Sequence, residues 1–204
     1  VLGCHNIEDF ENADVVIKNP GVKYSGNKYL AVAKQIETDL SIFLHFTKAP
    51  IIAITGSKGK SSTVSAIHYG LTQAGFQTFL GGNITVSPLT FLDKTSEKTP
   101  VVLELSSWQL SDLRGRKLLK PYISLITKIV PDHQNWYGNM EDYVKDKRLI
   151  YADQVYSEEN SCYSIFDFDE DLPEHAPNKE LHSESSWGQL FANESKACVL
   201  RYSK

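Results

Sequence analysis

Cysteine is scarce in this chain of 204 residues: Cys4, Cys162 and Cys198 lie far apart, with no C-x-x-C pair between them. That spacing supplies neither a disulfide framework nor the ligand pattern of a zinc ribbon. The expectation is small buried thiols in a reducing compartment, which places the protein in the cytoplasm. Long apolar runs are also missing, and none approaches the roughly 20 residues that cross a bilayer. The opening Val1-Leu2-Gly3-Cys4-His5 lacks the charged and apolar regions of a secretory signal. Nor is there an excess of positive charge: Lys and Arg number 21 against 25 Asp and Glu, for a formal net charge of -4. No electrostatic argument then favours nucleic acid or an anionic membrane as a partner. Internal repeats and low-complexity tracts are absent. What remains, 41% hydrophobic and 23% charged, is the composition of an ordinary globular protein, enough for one good-sized domain or two small ones.

The apolar pattern has an order. Ala13 to Lys18 reads as a short buried strand, stopped by the turn Asn19-Pro20-Gly21. Helical spacing of Leu30, Val32, Ala33 and Ile36 predicts a helix from Lys28 to Glu37, and a second short helix is predicted over Asp39 to Phe46. Thr47-Lys48-Ala49-Pro50 reads as a linker, dividing the chain into 1–49 and 50–204. Beyond it the apolar run Ile51–Thr55 predicts a strand, Lys60 to Ala74 a helix closed by Gly75, and Thr78–Leu80 a short strand with a helix after Asn83. Strands follow over Val101–Leu105 and Tyr122–Ile129, then a helix from Met140 to about Gln154. Weaker strand signals near Cys162–Phe168 and Ala197–Tyr202 are separated by polar loop. Alternating strands and helices with apolar strands predict an α/β fold: a mainly parallel sheet with flanking helices.

In such a sheet ligands gather at the carboxyl ends of the strands, and the informative polar residues fall there or on the following helices. Gly56-Ser57-Lys58-Gly59-Lys60-Ser61-Ser62 joins a strand to a helix. Glycines let backbone N–H groups turn toward a phosphate, and the helix terminus adds partial positive charge. Lys60 is placed to neutralise β- and γ-phosphates and Ser61 to hold Mg²⁺. The general P-loop has four residues between its glycines; this variant has two. The bland alternative is a Gly-rich turn with a solvated lysine. Glu104 interrupts the buried strand Val101–Leu105, a costly place for a carboxylate unless a cation compensates it; an acid at the strand's exposed rim is the alternative. His133, after Asp132, either ligates or orients a neighbour, or is structural. Lys147 falls on the apolar face of its helix with Met140, Tyr143, Val144, Ile150 and Tyr151. Buried, it would lose its proton readily and could take up carbon dioxide as a carbamate; a snorkelling lysine is the alternative.

Taken together, Thr55–Ser62, Gly81-Gly82-Asn83-Ile84, Leu103–Leu110 (LELSSWQL), Asp132-His133 and Lys147-Arg148-Leu149-Ile150-Tyr151 resemble the Mur ligase family in order and spacing. Within that family they resemble the branch that adds D-glutamate to UDP-N-acetylmuramoyl-L-alanine, the E-L-S-S-x-Q-L block being the most discriminating feature. The resemblance implies an ATP-binding central domain, here 50–204 and incomplete at its carboxyl end, and in 1–49 the remnant of a Rossmann-like domain that binds the UDP-sugar. It implies an ATP-dependent ligase of peptidoglycan precursor synthesis, acting through an acyl phosphate and releasing ADP and phosphate. Gly56, Ser57, Lys58, Gly59, Lys60, Ser61 and Ser62 would bind the nucleotide. Two Mg²⁺ ions are implied, one held by Ser61 and Glu104, the other served by His133 and a carbamylated Lys147; the catalytic set is Lys60, Glu104, His133 and Lys147. Gly21, Asn83, Ser106 and His133 would contact the muramoyl substrate. A monomer is expected. Two departures stand out: Lys58 replaces the Asn usual in the family's loop, and Asn135 an Asp common after the His. The chain is expected to be an internal piece, inactive alone. Another Mur-type or folylpolyglutamate-type ligase and a non-catalytic nucleotide-binding module are the alternatives.

Overall fold

A computed structural model describes residues 3–84, 86–167 and 187–202. Its amino-terminal part holds helix α1 (Ile7–Asn12), strand β1 (Val16–Ile17), the one-turn helix α2 (Lys28–Ala31) and strand β2 (Ile36–Glu37), which pairs parallel with β1. Two expectations need correction here. The strand predicted over 13–18 is two residues long and leaves Ile17 58% exposed. The helix predicted to Glu37 stops at Ala31. Asn27 caps its start, accepting from the N–H groups of Tyr29 and Leu30, but pairing with β1 draws the following residues into extended backbone. Val16 donates to the Gln35 carbonyl at 2.9 Å and Lys18 to that of Glu37 at 2.7 Å; tertiary pairing overrides local spacing.

Helix α3 (Asp39–Phe46) forms where predicted, and its start shows why. The Ser41 N–H donates to Thr38 Oγ1 at 3.0 Å and the Thr38 N–H to Ser41 Oγ at 2.8 Å, a capping box. From there strand and helix alternate: β3 (Ile51–Thr55), α4 (Lys60–Gln73), β4 (Phe79–Gly82), β5 (Val101–Glu104), α5 (Ser107–Asp112), β6 (Ile123–Ile126), α6 (Gln134–Tyr137), α7 (Met140–Lys147), β7 (Tyr163–Asp167), α8 (Trp187–Glu194) and β8 (Cys198–Tyr202). The last six strands form one parallel sheet in the order β4-β5-β3-β6-β7-β8, the predicted architecture.

Several details differ from the sequence reading. The helix expected after Asn83 is a 3₁₀ segment, Pro88–Lys94, and the helix from Met140 becomes a 3₁₀ turn at Arg148–Ile150. Helix α5 occupies a stretch for which no element was expected, and α8 one read as polar loop. The last residue of the predicted strand at 162–168 lies outside the described residues. Of the cysteines only Cys162 is buried; Cys4 and Cys198 are exposed.

The strands bury alternate side chains on opposite faces. Ile52, Ile54 and Val102 meet Val64 of α4. Ile51, Ala53, Val101, Leu103, Ile126 and Phe166 face the other way, toward α3, α5, α7, α8 and Phe91. Connections that step toward β8 therefore pack on one face, while α4, stepping from β3 out to β4, covers the other. Uniformly right-handed crossovers require that division. It also sends every strand of the larger sheet toward the same edge, where the polar motifs collect.

Candidate functional site

At that edge β3 runs into the glycine-rich loop and α4 begins at Lys60. Gly56 has φ 141° and Gly59 φ 89°, conformations that glycine adopts without steric cost. A Cβ on Gly56 would lie 1.9 Å from Thr127 Oγ1. That hydroxyl sits 2.7 Å from the Lys58 carbonyl and 3.1 Å from the Thr55 carbonyl, donating between the two sides of the loop. The N–H of Ser57 donates to the Lys128 carbonyl at 2.8 Å. Strand β6 and its extension thus set the loop's shape, with the first N–H groups of α4 unsatisfied by the helix itself. The Lys60 ammonium folds back onto the carbonyls of Gly56 at 2.9 Å and Ser57 at 3.1 Å. Burial lowers its pKa, opposed by the charges of Glu104 and Asp132. Ser61 and Ser62 are exposed on the first turn of α4.

Glu104 ends β5, one strand away, and is only 2% exposed. Its Oε1 accepts from Asn83 Nδ2 at 2.8 Å, while the buried Oε2 has no partner among the described residues. The ends of β4 and β5 are joined closely. The Asn83 N–H donates to the Glu104 carbonyl at 2.8 Å, and a Cβ on Gly82, whose φ is 95°, would lie 2.2 Å from that carbonyl oxygen.

Lys147 is 2% exposed. Its Nζ donates to the Gly56 carbonyl at 2.9 Å and stands 4.5 Å from the Tyr143 ring centroid. Burial, then the neighbouring Lys60 charge, brings its pKa down to about 7, against the pull of Asp132 and Asp146. The Tyr143 hydroxyl, pushed up to about 12 by burial, donates to Ser57 Oγ at 3.0 Å, and Ser57 Oγ donates to the Val130 carbonyl at 2.9 Å. The His133 ring lies 6.2 Å from that of Tyr143 and 5.0 Å from that of Trp108. His133 itself is held at φ 51°, with its N–H donating to Asp132 Oδ1 at 3.0 Å.

Beside this cluster runs a groove of about 630 Å³, with Gly21 on one wall and Gly82, Asn83, Ser106 and Trp108 on the other. Lys18 supports the first wall. Its buried Nζ pairs with Asp112 at 2.8 Å and donates to the carbonyls of Val22 at 2.9 Å and Asn19 at 3.2 Å, bracing the Asn19-Pro20-Gly21 turn. A slightly larger cleft of about 670 Å³ lies at the opposite, amino ends of β3 and β6, away from all these residues. The strand-end geometry, not cavity size, marks the candidate site.

The structure therefore brings the loop, Glu104 and Lys147 to one edge, with His133 joined through aromatic contacts and Gly21, Asn83 and Ser106 on the adjoining groove. Sequence reasoning missed Thr127, Tyr143 as a partner of Ser57, and the Lys18–Asp112 pair. Thr127 was hidden inside the strand expected over Tyr122–Ile129, which the structure ends at Ile126.

Comparisons with known proteins show the family and the fold of the chain. Residues 54–194 match the family described as Mur ligase middle domain. A curated relative from Treponema pallidum, UDP-N-acetylmuramoylalanine--D-glutamate ligase, is 56% identical over 167 residues, covering 75% of this chain and 31% of its own length. The chain thus spans about a third of that relative. Among solved structures, the UDP-N-acetylmuramate:L-alanyl-gamma-D-glutamyl-meso-diaminopimelate ligase of Neisseria meningitides superposes with TM-score 0.58 at 14% identity, covering 96% of this chain and 60% of that one. MurF ligase of Thermotoga maritima, in complex with ADP, gives TM-score 0.53 at 17% identity over 98% of this chain and 49% of that one. These two likenesses concern the fold alone.

Proposed function

The chain belongs to the Mur ligase family, and on that premise we propose that the full protein is an ATP-dependent ligase joining D-glutamate to UDP-N-acetylmuramoyl-L-alanine in peptidoglycan precursor synthesis. The acceptor is suggested by the name of the Treponema relative, and the nucleotide by the glycine-rich loop that leads into α4 at Lys60. One observation carries the reading: a buried carboxylate with an unpartnered oxygen, Glu104, stands beside a P-loop whose lysine is turned onto its own carbonyls. Such an edge suits a cation and a polyanion together.

In this reading the loop and first turn, residues 56–62, bind the ATP phosphates through the N–H groups of residues 59–62 and the Lys60 ammonium, while the N–H groups of Ser57 and Lys58 stay on the Lys128 carbonyl. A Mg²⁺ ion fits the donor set of Glu104 Oε2 and Ser61, since one carboxylate with water and phosphate oxygens is its usual environment. His133 and Lys147 would serve a second ion. The metal supplies screening of the repulsion between carboxylate and triphosphate. With its pKa near 7, Lys147 is neutral often enough to add to carbon dioxide, losing a proton and becoming an anionic carbamate. Gly21, Asn83 and Ser106 hold the muramoyl substrate along the groove. Its alanyl carboxylate attacks the γ-phosphate, ADP leaves, and the D-glutamate amine displaces phosphate from the acyl phosphate through a tetrahedral intermediate.

The division into an amino-terminal part, 1–49, and a central part, 50–204, belongs to the same proposal. The separate two-stranded sheet supports it, while α3 shares the core of the larger sheet. A cytoplasmic monomer completes it; among the described residues no helix is long and apolar enough to cross a membrane. The test is ADP release by the full reading frame containing this chain, given ATP, Mg²⁺ and UDP-N-acetylmuramoyl-L-alanine. Release is expected to depend on D-glutamate. Release with a different amino acid would move the protein to a sister ligase, and no release with any would leave only nucleotide binding.

A further inference from the structure

We infer that the indole N–H of Trp108 donates a hydrogen bond to an oxygen of the sugar-nucleotide substrate in the groove, and so helps to select that substrate. The inference rests on the ligase reading above and deepens it. Trp108 occupies the open position of the E-L-S-S-x-Q-L block and lines the groove together with Asn83 and Ser106. Its Nε1 is buried and has no hydrogen-bond partner among the described residues. A buried donor left unpaired is costly, and native structures hold few of them.

The ring cannot readily turn to find a partner. It packs against Trp136 at 4.8 Å between centroids and against His133 at 5.0 Å. Trp136 is held in turn by Lys23, whose Nζ lies 5.2 Å from the ring centroid and donates to the Trp136 carbonyl at 3.4 Å. Below the ring the backbone is fixed by the α5 capping box: the Gln109 N–H donates to Ser106 Oγ at 3.2 Å and the Ser106 N–H to Gln109 Oε1 at 3.0 Å. Packing alone does not call for an N–H, because a phenylalanine would offer an aromatic face without a donor.

The sign of the unpaired group then says what should meet it. Glu104 Oε2 and Trp108 Nε1, two of the four buried side-chain atoms that lack a hydrogen-bond partner among the described residues, are opposite in kind: the first accepts, the second donates. The first calls for a cation. The second excludes a metal ion and an ammonium group and calls for an acceptor oxygen, which a glycosyl diphosphate carries in number along its sugar, amide and phosphate groups.

The experiment compares the full-length enzyme with its Trp108→Phe variant. The expected result is a KM for UDP-N-acetylmuramoyl-L-alanine raised about tenfold, with kcat and the KM values for ATP and D-glutamate little changed. Independently, the indole proton resonance that disappears in Trp108→Phe should move downfield when UDP-N-acetylmuramoyl-L-alanine is added to the unsubstituted protein. An unchanged KM in the variant, or an indole resonance that stays in place at saturating substrate, overturns the inference. A wild-type enzyme that binds the sugar nucleotide with the indole shift yet forms no amide would overturn the ligase reading and leave this contact standing.

Discussion

Two ammonium groups share one carbonyl oxygen: Lys60 and Lys147 each approach the oxygen of Gly56 to 2.9 Å. Among the described residues neither has a carboxylate at hydrogen-bonding distance, and both pKa values are lowered, first by burial. Amphipathic spacing was enough to put Lys147 on the inner face of its helix. It could not show that the inner face ends at the loop, because Gly56 and Lys147 are 91 residues apart in sequence. Replacing the amine tests its role. Lys147→Ala in the full enzyme should lower kcat by at least about 100-fold, the order expected when support of a metal site is lost. Formate or acetate should restore part of that loss by standing in for the carbamate. Full activity of the variant, read by ADP release, would remove Lys147 from the mechanism.

The elements that were legible are those whose signals are local. Strand β3, its loop and α4 follow from an apolar run, two glycines and Lys60, all adjacent in sequence; α3 follows from its spacing. Strand β2 was read as helix because only its partner β1 makes Ile36 and Glu37 extended. Helix α5 was hidden because its capping residues, Ser106 and Gln109, sit inside a motif that reads as chemistry. The meeting of β4 and β5 belongs with these long-range features, and it yields a contrast between two glycines. Gly82→Ala places a Cβ 2.2 Å from the Glu104 carbonyl at a φ of 95° and should cost about 2–4 kcal/mol of stability. Gly70→Ala, inside α4 with nothing within 4 Å of the added carbon, should gain about 0.5–1 kcal/mol. Urea denaturation midpoints of the two variants check both signs.

Among the described residues two ion pairs tie the amino-terminal elements to the larger sheet, and both reach α5 or the segment just after it: Lys18 with Asp112, and Glu37 with Arg116. At Glu37 burial favours the neutral acid, but hydrogen bonds from Arg116, Ser41 and Gln35 prevail and bring its pKa from 4.5 to about 2. A depressed carboxyl pKa contributes stability that is fully present above the unfolded value and lost as pH falls through the folded one. Arg116→Ala should therefore cost about 1 kcal/mol near pH 7, a partly solvated pair being worth little more. The difference from the parent should close as pH is lowered from 4.5 toward 2, as measured by denaturant titration at each pH. The Lys18–Asp112 pair has another consequence. Lys18 braces the turn that carries Gly21, and Asp112 lies on the helix that also presents Trp108, so this buried charge pair spans the two walls of the groove. A buried pair is either kept or broken, since parting it strands a charge. In the proposed ligase the pair would set the groove's breadth in advance of its ligand, as a gauge does.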